Sequence, residues 1–257
     1  MLSVRADYNG RYAELMENTS LVAVSHQAAL RRQMETIAHN VANMNSTGFK
    51  AERMMFVDHL VRNPGGDQLR DPKLSFVRDV ATVRDLSSGH MQHTGNPLDL
   101  AIEGEGFFVV QTPDGDRYTR NGRLRIDDTG QVVTDHGLPL LTSGGQPIVL
   151  SATDTDIAIS RDGTVSSENG VLGRFRVVRF DNPQTLRMVA AGLMASDGAP
   201  EEMNTPRIVQ GMLEGSNVEP IVEMERMISV HRAYESTQKL ITGEHERMRK
   251  MMEVYAS

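Results

Sequence analysis

The stretch at 30–50, LRRQMETIAHNVANMNSTGFK, constrains the fold more than any other part of the chain. Leu30, Met34, Ile37, Val41 and Met44 recur at steps of four, three, four and three. That spacing draws one apolar seam along a helix, and the seam needs a second helix to cover it. The pattern then stops abruptly. Asn43, Asn45, Ser46 and Thr47 carry side chains that compete for backbone hydrogen bonds, and Gly48 can take the left-handed conformation that closes a helix end. Phe49 follows where an apolar residue folds back onto the last turn. Asn18, Thr19 and Ser20 are N-cap candidates, so a helix is predicted from about Leu21 to Asn43, about 35 Å long.

A matching seam lies at the other end. Met224, Met227, His231, Tyr234, Gln238, Ile241, His245, Met248 and Met252 keep the same rhythm. Ser216 with Glu219 fits a capping box, and Asn217 as N-cap would put Pro220 in the first turn. At about 50 Å this helix is expected to outreach the N-terminal one.

Between the two ends the composition changes. Of 22 Gly, 18 lie in residues 61–211, as do 9 of the 10 Pro, so helices there are broken. Met54, Met55, Val57 and Leu60 suit a short helix or an extended arm, ended by Asn63-Pro64-Gly65-Gly66. Residues 73–86 are β-rich, and SSGHMQHTGNP reads as a loop. Phe107 to Val110 is a short apolar run. Asp114-Gly115, Asn121-Gly122, Thr129-Gly130 and Asp162-Gly163 are hairpin-type turns. Val177, Val178 and Phe180 are predicted to be buried. The fold class is therefore α+β. A discontinuous, coiled-coil-like helical domain comes from residues 1–60 and 212–257, and a central all-β, antiparallel domain comes from 61–211.

Composition removes several function classes. The net charge of −7 argues against a nucleic-acid partner. With no cysteine there is no disulfide framework, thiolate nucleophile or Cys-ligated zinc. No apolar run approaches the roughly 20 residues that insertion into a membrane requires. The opening residues, MLSVRADYNGRYAEL, lack the apolar core of a Sec-type signal. Residues 1–15 are polar and weakly patterned, and Met16 is a second plausible start.

Single sites are weak. His90 and His93 have metal-compatible spacing but stand in a Gly-rich stretch without a third ligand, and read as a solvated loop. Asp114-Gly-Asp116 lacks the rest of a calcium loop. Gly104-Glu-Gly106 has no helix after it and is not a dinucleotide fingerprint. Asp127-Asp128 reads as shaping a hairpin, and His231 and His245 as lying along a helix interface. No catalytic, cofactor-binding or metal-binding residue stands out.

Two long helices sharing one seam bury little, and His231, Gln238 and His245 weaken an intramolecular core. The ends are thus expected to be loose in a monomer and to order when copies pack together. Six of the 16 Met fall in residues 212–257, and Met adapts to unlike neighbours. Periodicity alone serves equally an α+β monomer, including an enzyme or ligand-binding domain.

Three blocks carry a family resemblance. AHNVANMNSTGFKAER at 38–53 resembles the N-terminal signature of flagellar rod and hook proteins, with His39 in place of its first Asn. NPLDLAIEGEGFFVV at 96–110 and YTRNGRLRIDDTGQVVTDHGLPLL at 118–141 resemble the central block. GMLEGSNVEPIVEMERMISVHRAYES at 211–236 resembles the C-terminal motif. The blocks keep the family's order across most of the chain. The resemblance implies a self-assembling structural subunit that transmits torque and is neither enzyme nor cofactor carrier. The wording LEGSNVEP, the length and the short Arg53–Lys73 segment favour a proximal rod subunit over a distal rod or hook subunit. Its implied partners are copies of itself, other rod proteins and the flagellar type III export apparatus. Its implied place is the periplasmic rod, reached without a cleaved signal. The expected assembly residues are Leu30, Met34, Ile37, Val41, Met44, Gly48, Phe49, Met224, Met227, Tyr234, Ile241, Met248 and Met252.

Overall fold

A computed structural model describes the backbone of residues 2–61, 74–151, 154 and 156–256, and side-chain surroundings over 21–55, 81–151, 154 and 156–253. The chain divides into two compact units. One comprises Met1–Val41, Glu52–Val83 and Pro220–Ser257, the other Ala42–Ala51 and Arg84–Glu219. These bounds differ from those suggested by composition. The segments around Gly48 and Asn217 belong to the β-rich unit, and most of the extended arm belongs to the helical one.

The helical unit contains α1 (Leu2–Ala42) and α2 (Pro220–Ala256). α1 is continuous from Leu2 and does not begin at Leu21. The N-cap candidates Asn18 to Ser20 follow a run of helix formers, Tyr12 to Glu17, with no proline to break the chain, so the helix passes through them. The expected order of lengths is reversed as well. α1 has 41 residues and α2 has 37. Asn217 is not the N-cap of α2, since its side-chain carboxamide is committed to Ala51 and Asp85. Pro220 stands first in the helix, where its missing N–H costs nothing.

Leu30, Ile37 and Val230 are buried together, with Met34, Val41, Met227, Ala233 and Tyr234 packed against them. The polar pairs run in opposite chain directions, His26 with Thr237, Gln27 with Gln238 and Asn40 with Glu223, so the helices are antiparallel. Among the described residues these three buried aliphatic side chains contribute about 5–9 kcal/mol. The arm is extended. β1 (Glu52–Val61) and β2 (Leu74–Arg84) pair as a two-stranded ribbon. The stop expected at Asn63–Gly66 lies outside the described residues.

In the β-rich unit every strand ladder among the described residues is antiparallel. Short strands come first: β3 (Met91–His93), β4 (Leu100–Ile102), β5 (Phe107–Thr112), β6 (Gly115–Thr119), β7 (Leu124–Ile126) and β8 (Val132–Thr134). Then come β9 (Ala158–Ile159), β10 (Thr164–Ser167), β11 (Gly170–Arg174) and β12 (Val177–Arg179). The series ends with β13 (Arg187–Met188), β14 (Met194–Ala195), β15 (Glu201–Glu202), β16 (Ile208–Gln210) and β17 (Met212–Glu214). The largest sheet runs β13-β14-β6-β5-β12-β15. β16 pairs β4, β17 pairs β3, and β7 pairs β8.

β5 explains the unalternating run Phe107 to Val110. Phe108 and Val110 enter one core with Leu100, Ile148 and Phe175, while Phe107 and Val109 enter a second with Tyr118, Val178 and Leu186. A strand covered on both faces needs apolar residues at every position. The Asp114-Gly115 and Asp162-Gly163 turns join β5 to β6 and β9 to β10. Asp127 shapes the β7–β8 turn, accepting from the backbone N–H groups of Thr129 and Gln131. Hydrogen bonds, first that from the Thr129 side chain, hold its carboxyl below the usual carboxylate range.

Candidate functional site

Glu214 ends β17 and is fully buried, at 0% exposure. Its Oε1 accepts from Lys50 Nζ at 2.6 Å and from the Gly89 N–H at 3.1 Å. Its Oε2 accepts from Arg120 Nη1 at 3.3 Å. Its backbone carbonyl accepts from the Gly48 N–H at 2.7 Å. One carboxylate thus faces two cations, each of which also donates to backbone carbonyls, while Arg120 Nε is buried without a hydrogen-bond partner. Lys50 Nζ donates to Ser87 O at 2.7 Å, and Arg120 Nη2 donates to Gly104 O at 2.6 Å. The Arg120 guanidinium also lies 5.2 Å from the Phe107 ring centroid. Burial pushes the Lys50 amine below its ordinary value, against the hydrogen bond and charge of Glu214. Burial lowers Arg120 in the same way, opposed by Glu214.

A second clasp lies beside the first. Asn217 Oδ1 accepts from the Ala51 N–H at 2.7 Å, and its Nδ2 donates to Asp85 O at 2.8 Å. Phe49, Ala51 and Val218 form a small apolar cluster, with Met188 packed against it. Gly48 has φ +69°, and a Cβ there would lie 2.5 Å from the Arg120 carbonyl carbon. Only glycine meets both conditions. Phe49 therefore packs on the 214–218 segment within the β-rich unit, as part of the same knot.

The knot brings together residues from all three regions that carry the sequence resemblance: Gly48 and Lys50, then Gly104 and Arg120, then Glu214 and Asn217. It is closed to solvent, with Lys50 at 1% exposure and Arg120 at 5%. Such a site holds chain segments and offers no room to a substrate. Sequence reasoning missed Lys50, Arg120, Glu214 and Asn217. Their signal was present as charged or amide residues set among apolar ones, but their partners lie far apart in the chain.

The helical unit sorts the remaining expected residues. Leu30, Met34, Ile37, Val41, Met227 and Tyr234 meet one another inside the chain. Ile241 and Met248 are half-buried, while Met224 and Met252 are exposed, as is Met44 in the β-rich unit. His231 is exposed and lies 3.3 Å from Glu235 across one helical turn. Ile221, Met224 and Ile228 stand at i, i+3 and i+7, exposed to 75%, 54% and 54%. Ile221 and Val230 are nine residues apart, two and a half turns, so they point to opposite sides of α2. Leu21 and Leu30 have the same relation on α1, with Leu21 exposed and Leu30 buried. Each helix thus carries one apolar face spent inside the chain and one left outward. Such outward apolar faces, Leu21 and Val24 on α1 and Ile221, Met224 and Ile228 on α2, suit association with other helices.

Elsewhere, an open hollow of about 700 Å³ is lined by Thr129, Leu150, Asp154, Asn169 and Leu172 among others. Its carboxylate, Asp154, accepts from Asn169, the Ser151 N–H and Ser167, which hold it below the usual range, with Asn169 first. A carboxylate so occupied is poorly suited to moving protons. Among the described residues, no group of three His, Cys, Asp or Glu could hold a metal ion, and no helix is long and apolar enough to cross a membrane.

Residues 21–50 match the family described as flagella basal body rod protein. Residues 101–167 match the flagellar hook protein FlgE/F/G D1 domain, and 209–254 match the flagellar basal body rod FlgEFG protein C-terminal region. The rod protein FlgF of Caulobacter vibrioides is 37% identical over 240 residues, covering 93% of this chain and 98% of the relative. The chain belongs to the flagellar basal-body rod protein family. FlgF of Mesorhizobium japonicum is 34% identical, covering 88% of this chain and 92% of its own. FlgG of Buchnera aphidicola is 32% identical, covering 86% and 93%. Within the rod family the chain is FlgF-like, a structural subunit of the flagellum, as the sequence resemblance implies. The rod-family matches at 21–50 and 209–254 take in the second half of α1, nearly all of α2 and the two clasping residues Lys50 and Glu214.

Proposed function

We propose that this rod-family subunit joins the rod through the outward faces of its terminal helices and transmits torque by packing, without catalysis. The observation that carries the reading is the stripe Ile221, Met224 and Ile228, exposed on the side of α2 opposite the inner seam. The partners are copies of the chain and other axial proteins. Leu30, Ile37 and Val230 prepare the helix pair, and the outward stripe joins it to neighbours. Export through the flagellar type III apparatus, without cleavage, delivers the subunit to the periplasmic rod.

Complementation of a strain lacking the gene tests this. The variant Ile221→Ser, Met224→Ser and Ile228→Ser is expected to keep the wild-type circular dichroism and to lose swimming. Full swimming by that variant would reject the outward stripe as the joining surface. The mass of the subunit recovered from purified basal bodies tests the export reading, which requires no cleavage.

A further inference from the structure

Asn40 lies on the inner side of α1, 1% exposed, where asparagine is a poor choice for a helix. Its side-chain amide acts as a strand would. Nδ2 donates to the carbonyl of Glu52 at 2.8 Å, and Oδ1 accepts from the N–H of the same residue at 2.9 Å. The second Nδ2 hydrogen reaches Glu223 Oε2 at 3.3 Å, while the other oxygen of Glu223 accepts from Arg226. One amide therefore ties the end of α1, the first residue of β1 and the first turn of α2. A primary amide offers a donor and an acceptor side by side, as needed to match the N–H and C=O of one extended residue. A two-stranded ribbon is marginal by itself and depends on what holds its base.

The same device recurs at the last residue of β2, inside the β-rich unit. Gln184 Oε1 accepts from the N–H of Arg84 at 2.9 Å, and Gln184 Nε2 donates to the Arg84 carbonyl at 2.8 Å. Glu52 and Arg84 are the first and last residues of the ribbon strands.

We propose that Asn40 is a positioning residue that fixes where the ribbon leaves the helix pair. Its amide stands in for a missing neighbour strand at Glu52 and takes its own alignment from Glu223. The consequence for rod building rests on the packing function proposed above: a subunit with a loose ribbon presents no single surface to the next one. The geometric claim itself concerns one chain only.

Because the chain has no cysteine, two labels can be placed cleanly. Met55→Cys on β1 and Arg232→Cys on α2 are both exposed and both in the helical unit. Pulsed electron spin resonance then reads the ribbon-to-helix distance in the full chain. The parent protein is expected to give one narrow distribution, and Asn40→Ala at least a twofold broader one with unchanged helical circular dichroism. Asn40→Asp keeps the volume but cannot donate to the Glu52 carbonyl, so it broadens too and answers the question if the alanine variant fails to fold. Glu223→Gln keeps an acceptor and is expected to stay narrow. A broad distribution in the parent, or narrow ones in both Asn40 variants, would overturn the proposal. The readout needs no assembly, so its failure is separable from failure of the rod reading.

Discussion

Lys50 and Glu214, 164 positions apart in the chain, meet as an ion pair of 2.6 Å with side chains 1% and 0% exposed. Arg120 takes the other carboxylate oxygen at 3.3 Å, so Glu214 is the single anion between two buried cations. The two halves of the cluster are therefore unequal. Glu214→Ala strands two charges and is expected to cost about 3–5 kcal/mol. Lys50→Met leaves a balanced Glu214–Arg120 pair, and the Ser87 carbonyl keeps its bond from Asn217 Nδ2 at 3.1 Å, so the loss is expected to be smaller, about 1–3 kcal/mol. Urea unfolding of the full chain, followed by near-ultraviolet circular dichroism of Tyr118 and Phe107, gives the ranking. Equal losses would contradict the shared-anion arrangement.

The same lysine sets a pH dependence. Burial lowers its folded pKa beneath the ordinary 10.5. Between the two values the unfolded chain holds the extra proton, so stability rises with pH in that window. Below the lowered value the cost of burying the charge is constant. The stability difference between the parent and Lys50→Met is expected to shift in favour of the parent as pH rises toward 10.5. A parallel pair of pH profiles would show that Lys50 does not titrate in the folded unit.

Gly48→Val meets two obstacles at once. Its φ of +69° is disfavoured for a side chain by about 1–2 kcal/mol, and its Cβ would strike the Arg120 backbone. A loss above about 2 kcal/mol in urea unfolding is expected. On the export route proposed above, swimming is expected to suffer more than export. Normal swimming would count against the turn.

Inner and outer faces of the helices should separate in their effects. Ile37→Asp or Met227→Asp puts a charge into the seam and is expected to cost about 3 kcal/mol or more, with loss of helical circular dichroism. Met224→Asp points outward, so the monomer should keep its helicity while rods fail to form. Equal helicity loss in all three would remove the distinction between faces.

Much of this could be read in the residues. The seam Leu30, Ile37 and Val41 has a helical period that local sequence shows directly, and its partner Met227 shows the same. The turns at Asp114-Gly115 and Asp162-Gly163 were legible because glycine and aspartate act locally. What stayed hidden depends on distant partners. β3 is three residues whose ladder is β17, so nothing near Met91 marks it as a strand. Asn217 looked like a cap because caps are local, whereas its actual partners are Ala51 and Asp85. The start of α1 was misplaced because Asn18 to Ser20 are good caps that also tolerate a helix when both flanks favour one. Glu214 and Lys50 were unreadable as a pair, since each alone resembles an ordinary surface charge.

Photo-crosslinking in assembled rods tests the division between the two faces of α2 most directly. A photoreactive residue replacing Ile228 should yield adducts with another axial subunit. The same residue replacing Val230 should capture only α1 of its own chain. Intermolecular adducts from Val230, with none from Ile228, would contradict the account.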